Sequence, residues 1–348
     1  MNNTMYTKIE RYGNDILWTG YDNGKRFYKK VKYQPTFYVE DRQNEDQKPS
    51  HVSLIGDRPL KSIQCDDMKR ATEFVERYKD VQNMVMCGNT NYVASFTYDM
   101  YPGTIDFDPS LINIFTFDIE VDISKKKPDM ETADNEITSV AIKSSKSSNY
   151  YMFGTKDYDP EKTITGIDPS LIKYHKCQSE YDMLNRFVDL WCSDYPDVVT
   201  GWNVELFDIT YIVKRIENIL GMAAVKRLSP WGHVRERSFE MFNKMQKTYV
   251  ISGISIVDYM NAFKKFGYKY GTMQSYKLDN VATIVLGTKK LSYEAHGNKV
   301  DTHRFISDGA KDVKISRDLP DDVLTHGEMC VKRRDVLLEE IQRRGLSV

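Results

Sequence analysis

The sequence predicts an α/β protein: a mixed sheet flanked by helices, preceded by a smaller α+β unit. Three observations carry this reading. Beyond about residue 110, apolar strand-like runs alternate with amphipathic helical ones, the pattern of a sheet covered by helices. Before that point, polar and apolar residues alternate in segments joined by tight-turn residues, the pattern of antiparallel hairpins. Between the two, the stretch YPGTIDFDPS at 101–110 is dense in turn formers and marks the boundary, giving domains at 1–108 and 109–348.

Each element has its own justification. From residue 6 to about 38 the alternation pivots on Tyr21, Asp22, Asn23 and Gly24, a hairpin turn. A polar stretch at 40–50 follows, then a helix over 68–81 with Ala71, Phe74, Val75 and Tyr78 on one face. In the second domain a strand covers 112–121 and another lies near 137–142. The next helix carries Leu184, Phe187, Val188 and Trp191 at i, i+3, i+4, i+7, with Ser179 and Asp182 spaced as its N-terminal cap. A short strand at 198–200, a helix over 208–220 stopped by Gly221, a strand over 249–257 and a closing helix ending near Gly345 complete the pattern. There are no internal repeats.

Composition narrows the classes of function. With 49 Lys+Arg against 50 Asp+Glu, the overall field holds no polyanion, so a nucleic acid would need a local basic or aromatic groove. Five scattered cysteines without a C-x-x-C pair argue against a disulfide framework or a cysteine zinc site. The N-terminus has no apolar signal core and no apolar run approaches the roughly 20 residues that span a bilayer, so a soluble cytoplasmic protein with no membrane partner is expected. Tyrosine is abundant at 23 residues, serving either as core and surface filler or for stacking on bases.

Acids fall in three telling places. In INIFTFDIEV (112–121), strand geometry puts Phe115, Phe117, Ile119 and Val121 on one face and Asp118 with Glu120 on the other. Two adjacent carboxylates need either water or cations. In TGWNVELFDI (200–209), Gly201 permits a turn and Asp208 opens a helix, as a simple cap or as one wall of a pocket shaped by Trp202, Asn203 and Phe207. In CVKRRDVLLEEIQRRG (330–345), Asp335 shares a helix face with Val331 and Leu338, a solvated edge or a third inward acid. Hard cations such as Mg²⁺ or Mn²⁺ prefer oxygen ligands, and two of them can clamp both the attacking water and the leaving oxygen of a phosphodiester. Asp118, Glu120, Asp208 and Asp335 supply the four carboxylates such chemistry needs.

FDIEV, TGWNVELFDI and the Asp335 helix, in that order and at those separations, resemble the three exonuclease motifs of family B DNA polymerases, above all the replicative polymerases of T-even-type bacteriophages and their cyanophage relatives. Pro128-Asp129, the run at 251–266 and, more loosely, GYDNGKR and VKYQPTFYV add to the likeness. The resemblance implies a ribonuclease-H-like 3′→5′ proofreading exonuclease in which the four acids bind two ions and Trp202, Asn203 and Phe207 hold a single-stranded DNA 3′ end. It also implies that 229–250 is either a strand-separating hairpin or an ordinary exposed one. Asp258 corresponds to an acid near the site, although capping the helix that follows is its simpler role. A phage-encoded chain of this kind would work in the host cytoplasm on primer-template DNA.

Two departures bear on this. The family's third motif has a tyrosine four residues before its aspartate, where this sequence has Val331, which has no side-chain donor or acceptor. If that tyrosine's positioning of the water is worth about 10²–10⁴-fold, proofreading would be slow, and Asp312 is the reserve candidate for the fourth ligand. The sequence also contains no D-x-x-S-L-Y-P-S, N-S-x-Y-G or D-T-D-S, the polymerase motifs of the palm and fingers. The expectation is therefore a split or truncated polymerase that works with a second chain carrying palm, fingers and thumb, and through it a replisome clamp. The alternative is a weakly active or inactive DNA-binding and docking subunit.

Overall fold

The computed structural model describes residues 4–41, 51–82, 84–123, 126–162, 167–241 and 243–286. By its internal contacts the chain separates into two units, Met1–Leu111 and Ile112–Val348.

The first unit begins with an antiparallel meander of β1 (Thr4–Tyr12), β2 (Asp15–Asp22) and β3 (Lys25–Val31). Asn23 and Gly24 join β2 to β3 with φ of 49° and 77°, the pair of left-handed residues a two-residue hairpin turn requires. Then come β4 (Thr36–Glu40), β5 (His51–Val52), β6 (Pro59–Gln64), helix α1 (Met68–Tyr78), β7 (Met86–Cys87) and helix α2 (Tyr92–Met100). Strands β5, β6, β4 and β7, in that order, form a second antiparallel sheet. Asp67 caps α1 by accepting the Arg70 N–H, and Met68 and Ala71 are its buried residues, with Phe74 and Val75 half-buried beside them. Ile16, Trp18, Phe37 and Phe96 close this core.

The second unit is built on a six-stranded mixed sheet. Its strands are β8 (Ile114–Val121), β9 (Ile137–Ser144), β10 (Tyr150–Gly154), β11 (Ile172–Lys176) and, after helix α3 (Glu180–Ser193), β12 (Val198–Gly201). Helices α4 (Asp208–Leu220) and α5 (Met222–Arg227) follow, then the strands β13 (Val234–Met241) and β14 (Lys244–Ile251), β15 (Ser255–Asp258), and helices α6 (Tyr259–Phe266) and α7 (Leu278–Leu286). The sheet order is β11-β10-β9-β8-β12-β15, with β9 antiparallel to both its neighbours and the remaining pairs parallel. Strand β8 alternates as its sequence predicts: Phe115, Phe117, Ile119 and Val121 are buried, while Asp118 and Glu120 are only half-buried. Phe117 meets Phe187 and Phe115 meets Trp191, both of α3. Burying one such side chain contributes about 1.5–3 kcal/mol, so these contacts help hold α3 to β8.

Helix signals read from the sequence hold where they were local. Ser179 caps α3 by accepting the Asp182 N–H, and Gly221 ends α4 at φ 84°. The strand expected over 249–257 is instead two, because Gly253 turns the chain at φ 87° with no room for a side chain: a Cβ there would lie 2.7 Å from Pro230. Strand β14 pairs only with β13 in a two-stranded hairpin, whereas β15 joins the large sheet beside β12. The closing helix near Gly345 lies outside the described residues. Among the described residues, no helix is long and apolar enough to cross a membrane.

Candidate active site

Strand β12 runs parallel to β8, pairing Val198 with Ile114 and Thr200 with Thr116, and then leaves the sheet at Gly201. Gly201 serves close approach: a Cβ on it would sit 2.6 Å from the Phe117 carbonyl oxygen and 3.0 Å from Val204. The left-handed residue of the turn is Asn203, at φ 62°, a conformation asparagine tolerates better than most. Its carbonyl accepts the Phe207 N–H at 3.1 Å and closes the turn on which α4 begins.

With β12 gone, the edge of β8 beyond Phe117 needs a substitute partner. Asp208, the first residue of α4, provides it: its Oδ1 accepts the backbone N–H of Ile119 at 3.1 Å. The cap position of α4 is Phe207, which makes no side-chain cap bond, so Asp208 is the first helical residue and not the cap. Ile119 lies between Asp118 and Glu120, so the carboxylate of α4 is delivered to the strand position flanked by the other two acids.

The electrostatics follow from that placement. Asp208 is 3% exposed, and burial first, then the Asp118 carboxylate, raise its carboxyl well above the usual 3.8, with Glu120 adding to the rise and the Ile119 N–H opposing it. Among the described residues, no three His, Cys, Asp or Glu side chains come together as a group that could hold a metal ion. What they supply is an interacting trio of acids from two elements. The donors are hard oxygens, and a divalent cation bound beside Asp208 would relieve the repulsion its neighbours impose.

Several ties brace this arrangement, and of these the sequence shows only the Asp258 cap. Asp258 caps α6 through the Met260 and Asn261 N–H groups, and its other oxygen accepts the Glu205 N–H at 3.2 Å. The Glu205 carbonyl accepts from Thr210 and from the buried Thr248 of β14, fastening the turn to the base of the hairpin. Burial raises the Glu205 carboxyl, opposed by Arg237 on β13 and reinforced by Asp258. On the other side, Arg215 of α4 grips Glu180 of α3 through two bonds of 2.7 and 2.6 Å and also reaches the carbonyls of Ala133 and Asp134. Glu180 accepts the Ile137 N–H at the start of β9, while Thr138 donates to the Glu120 carbonyl. For the Arg215–Glu180 tie the sequence offers only an arginine seven residues after Asp208, and the spacing alone does not name its partner.

The residues expected to hold DNA all have structural employment here, and all are half-buried. Trp202 donates its Nε1–H to the Tyr276 carbonyl at 3.1 Å and packs near Tyr259 and Phe263. Asn203 makes the turn, and Phe207 stacks on Tyr211 at 6.1 Å. Asp335, the reserve Asp312 and Val331 lie outside the described residues.

A family model described as DNA polymerase family B, exonuclease domain, matches residues 51–281. The chain is 29% identical over 331 residues to the DNA-directed DNA polymerase of Enterobacteria phage T4, covering 89% of this chain and 36% of that protein. It is 26% identical over 331 residues to the DNA-directed DNA polymerase of Escherichia phage RB69, covering 88% and 36%. With DNA polymerase 1 of Sulfurisphaera ohwakuensis it shares 28% identity over 235 residues, covering 66% and 24%. The chain thus spans about a third of the length of the phage relatives it matches.

Proposed function

The chain belongs to the family B DNA polymerase exonuclease-domain family, whose fold is ribonuclease-H-like, and from that premise we propose that it removes nucleotides from the 3′ end of single-stranded DNA with two divalent ions. The observation that carries this is the Asp208 carboxylate seated on the Ile119 N–H, between Asp118 and Glu120. Asp118, Glu120 and Asp208 would hold Mg²⁺ or Mn²⁺, with Asp335 as the fourth ligand. When bound, such ions activate water and stabilise the charge that develops on the phosphodiester.

The protein's own part is to fix where the acids stand. The Ile119 N–H orients Asp208; Gly201 lets the turn approach β8; Asp258, Thr210 and Thr248 lock Glu205 and hence the turn that leads to α4. Trp202, Asn203 and Phe207, each half-buried beside this turn, would line the slot for the 3′-terminal nucleotides. Because the relatives it spans are DNA-directed DNA polymerases, the substrate in this reading is a frayed primer-template end, handed over by palm, fingers and thumb elements, with the replisome clamp engaged through them.

The test is digestion of 3′-labelled and 5′-labelled single-stranded DNA with Mg²⁺ or Mn²⁺. Mononucleotide release from the 3′ label, lost in Asp118→Ala and in Asp208→Asn, is expected. Degradation that persists in the Asp208→Asn protein, or that starts from the 5′ end, would reject the assignment.

A further inference from the structure

The segment after the Asp258 cap is both basic and aromatic. From Lys264 to Leu278 the sequence carries four lysines and no acid, in a chain whose charges otherwise nearly cancel. It is aromatic as well, in two layers. The inner layer is structural: buried Phe263 stacks on Tyr270 at 5.9 Å and 21°, meets Tyr276 edge-on at 6.5 Å, and supports Trp202 at 6.0 Å. The outer layer is turned to solvent, with Phe266 39% and Tyr268 58% exposed. Cations accompany these rings. The Lys265 ammonium lies 5.3 Å from the Phe266 ring centre, and that of Lys264 lies 5.3 Å from the Tyr276 ring centre.

Single exposed aromatic side chains are ordinary and call for no explanation. Two within three residues, with lysines on both sides and no acid in the sequence from Lys264 until Asp279, offer exposed ring area on which bases can stack and ammonium groups that can pair with phosphates. Proteins hold single-stranded nucleic acid without regard to sequence by this combination. Location adds to the case. The inner layer anchors Trp202 through the Tyr276 carbonyl, and Trp202 opens the turn that ends at Asp208.

We infer that the ledge formed by the end of α6 and the chain that follows is a binding platform for single-stranded DNA. Bases stack on Phe266 and Tyr268, and Lys264 and Lys265 hold adjacent phosphates. The inference rests on the reading that this chain handles single-stranded DNA, and it adds a surface outside the acidic site that retains the strand whose end is cleaved.

The test uses the full chain, fluorescence anisotropy and a labelled oligothymidylate in EDTA, where nothing is hydrolysed. Phe266→Ala with Tyr268→Ala is expected to weaken binding about tenfold or more, and Tyr268→Trp to retain it. Lys264→Ala with Lys265→Ala is expected to lower the slope of log affinity against log salt by about 1.4. Thermal melting checks each variant, and Tyr268→Ala alone serves if the double variant does not fold. Wild-type affinity and salt slope in folded variants would overturn the platform. Cleavage assays separate this from the nuclease reading. Weakened binding in a protein that never cleaves leaves the platform standing and removes the nuclease. Cleavage with unchanged binding in the aromatic and lysine variants does the reverse.

Discussion

Strands β8 and β12 lie side by side, and their two ends treat buried polar groups in opposite ways. At the start of β8, Asn113 is fully buried, yet its N–H donates to Asp197, its amide donates to Asp194 and its side-chain oxygen accepts from Ser144. Asp197 and Val198 return their N–H groups to the Asn113 carbonyl, and Ser255 donates to the Asp197 carbonyl, so one network joins β8, β9, β12 and β15. At the other end, Asp208 is also buried, but it faces Asp118 and Glu120 and its carboxyl is pushed well above its usual range. Satisfied polar groups specify register; like charges gathered together cost stability and gain meaning only through a ligand. One end of the strand pair holds the sheet, and the other is where the proposed chemistry would take place.

That division can be broken by experiment. The largest effect is expected at the acidic end, where Asp208→Asn should lower cleavage by about 10³-fold or more while leaving single-strand binding intact, since in the proposed reading several kcal/mol of transition-state stabilisation would go with the bound ions. Measured release from a 3′-labelled strand decides it. Next, Asn113→Ala should destabilise the protein by about 2–4 kcal/mol in urea unfolding, with cleavage per folded molecule unchanged. Loss of activity without loss of stability there would show that the two ends are not separate. Gly201→Ala belongs to both ends of the comparison. Its Cβ would press on the Phe117 carbonyl, so about 1–3 kcal/mol of stability and part of the activity should go together.

The smallest effect concerns pH. Because the folded Asp208 carboxyl titrates above its ordinary value of 3.8, its stabilising contribution is complete below that value and is lost as pH rises through the folded one. In EDTA at neutral pH, Asp208→Asn should therefore melt at a higher temperature than wild type, the gap closing as pH falls toward the ordinary carboxylate range. A wild-type protein that melts higher at neutral pH would show that the acids are not in repulsion.

Much of the second unit was readable because its signals are local. The alternation of FTFDIEV, the Ser179 cap, the i, i+3, i+4, i+7 stripe of α3 and the stop at Gly221 each need only a few neighbouring residues, and the structure has all of them. The single strand expected over 249–257 fails for the same reason: its apolar run is continuous, and the turn at Gly253 is enforced by Pro230 and Trp231 from the far side of the hairpin. The sequence points to Gly201 as the residue that permits the turn, yet the positive φ belongs to Asn203, and what requires glycine is the Phe117 carbonyl, more than eighty residues earlier.

By itself, then, the sequence determined the element types, the two-faced strand with Asp118 and Glu120 on one side, and the helix that begins at Asp208. Only the tertiary structure decided that β12 stops short on β8, that Asp208 occupies the vacated edge at Ile119, and that Asn113 and Asp197 bind the opposite end. Periodicity is written in neighbouring residues. Which backbone donor is left without a ladder partner, and which distant carboxylate takes it, depends on strands meeting across long loops, and no short stretch of sequence carries that.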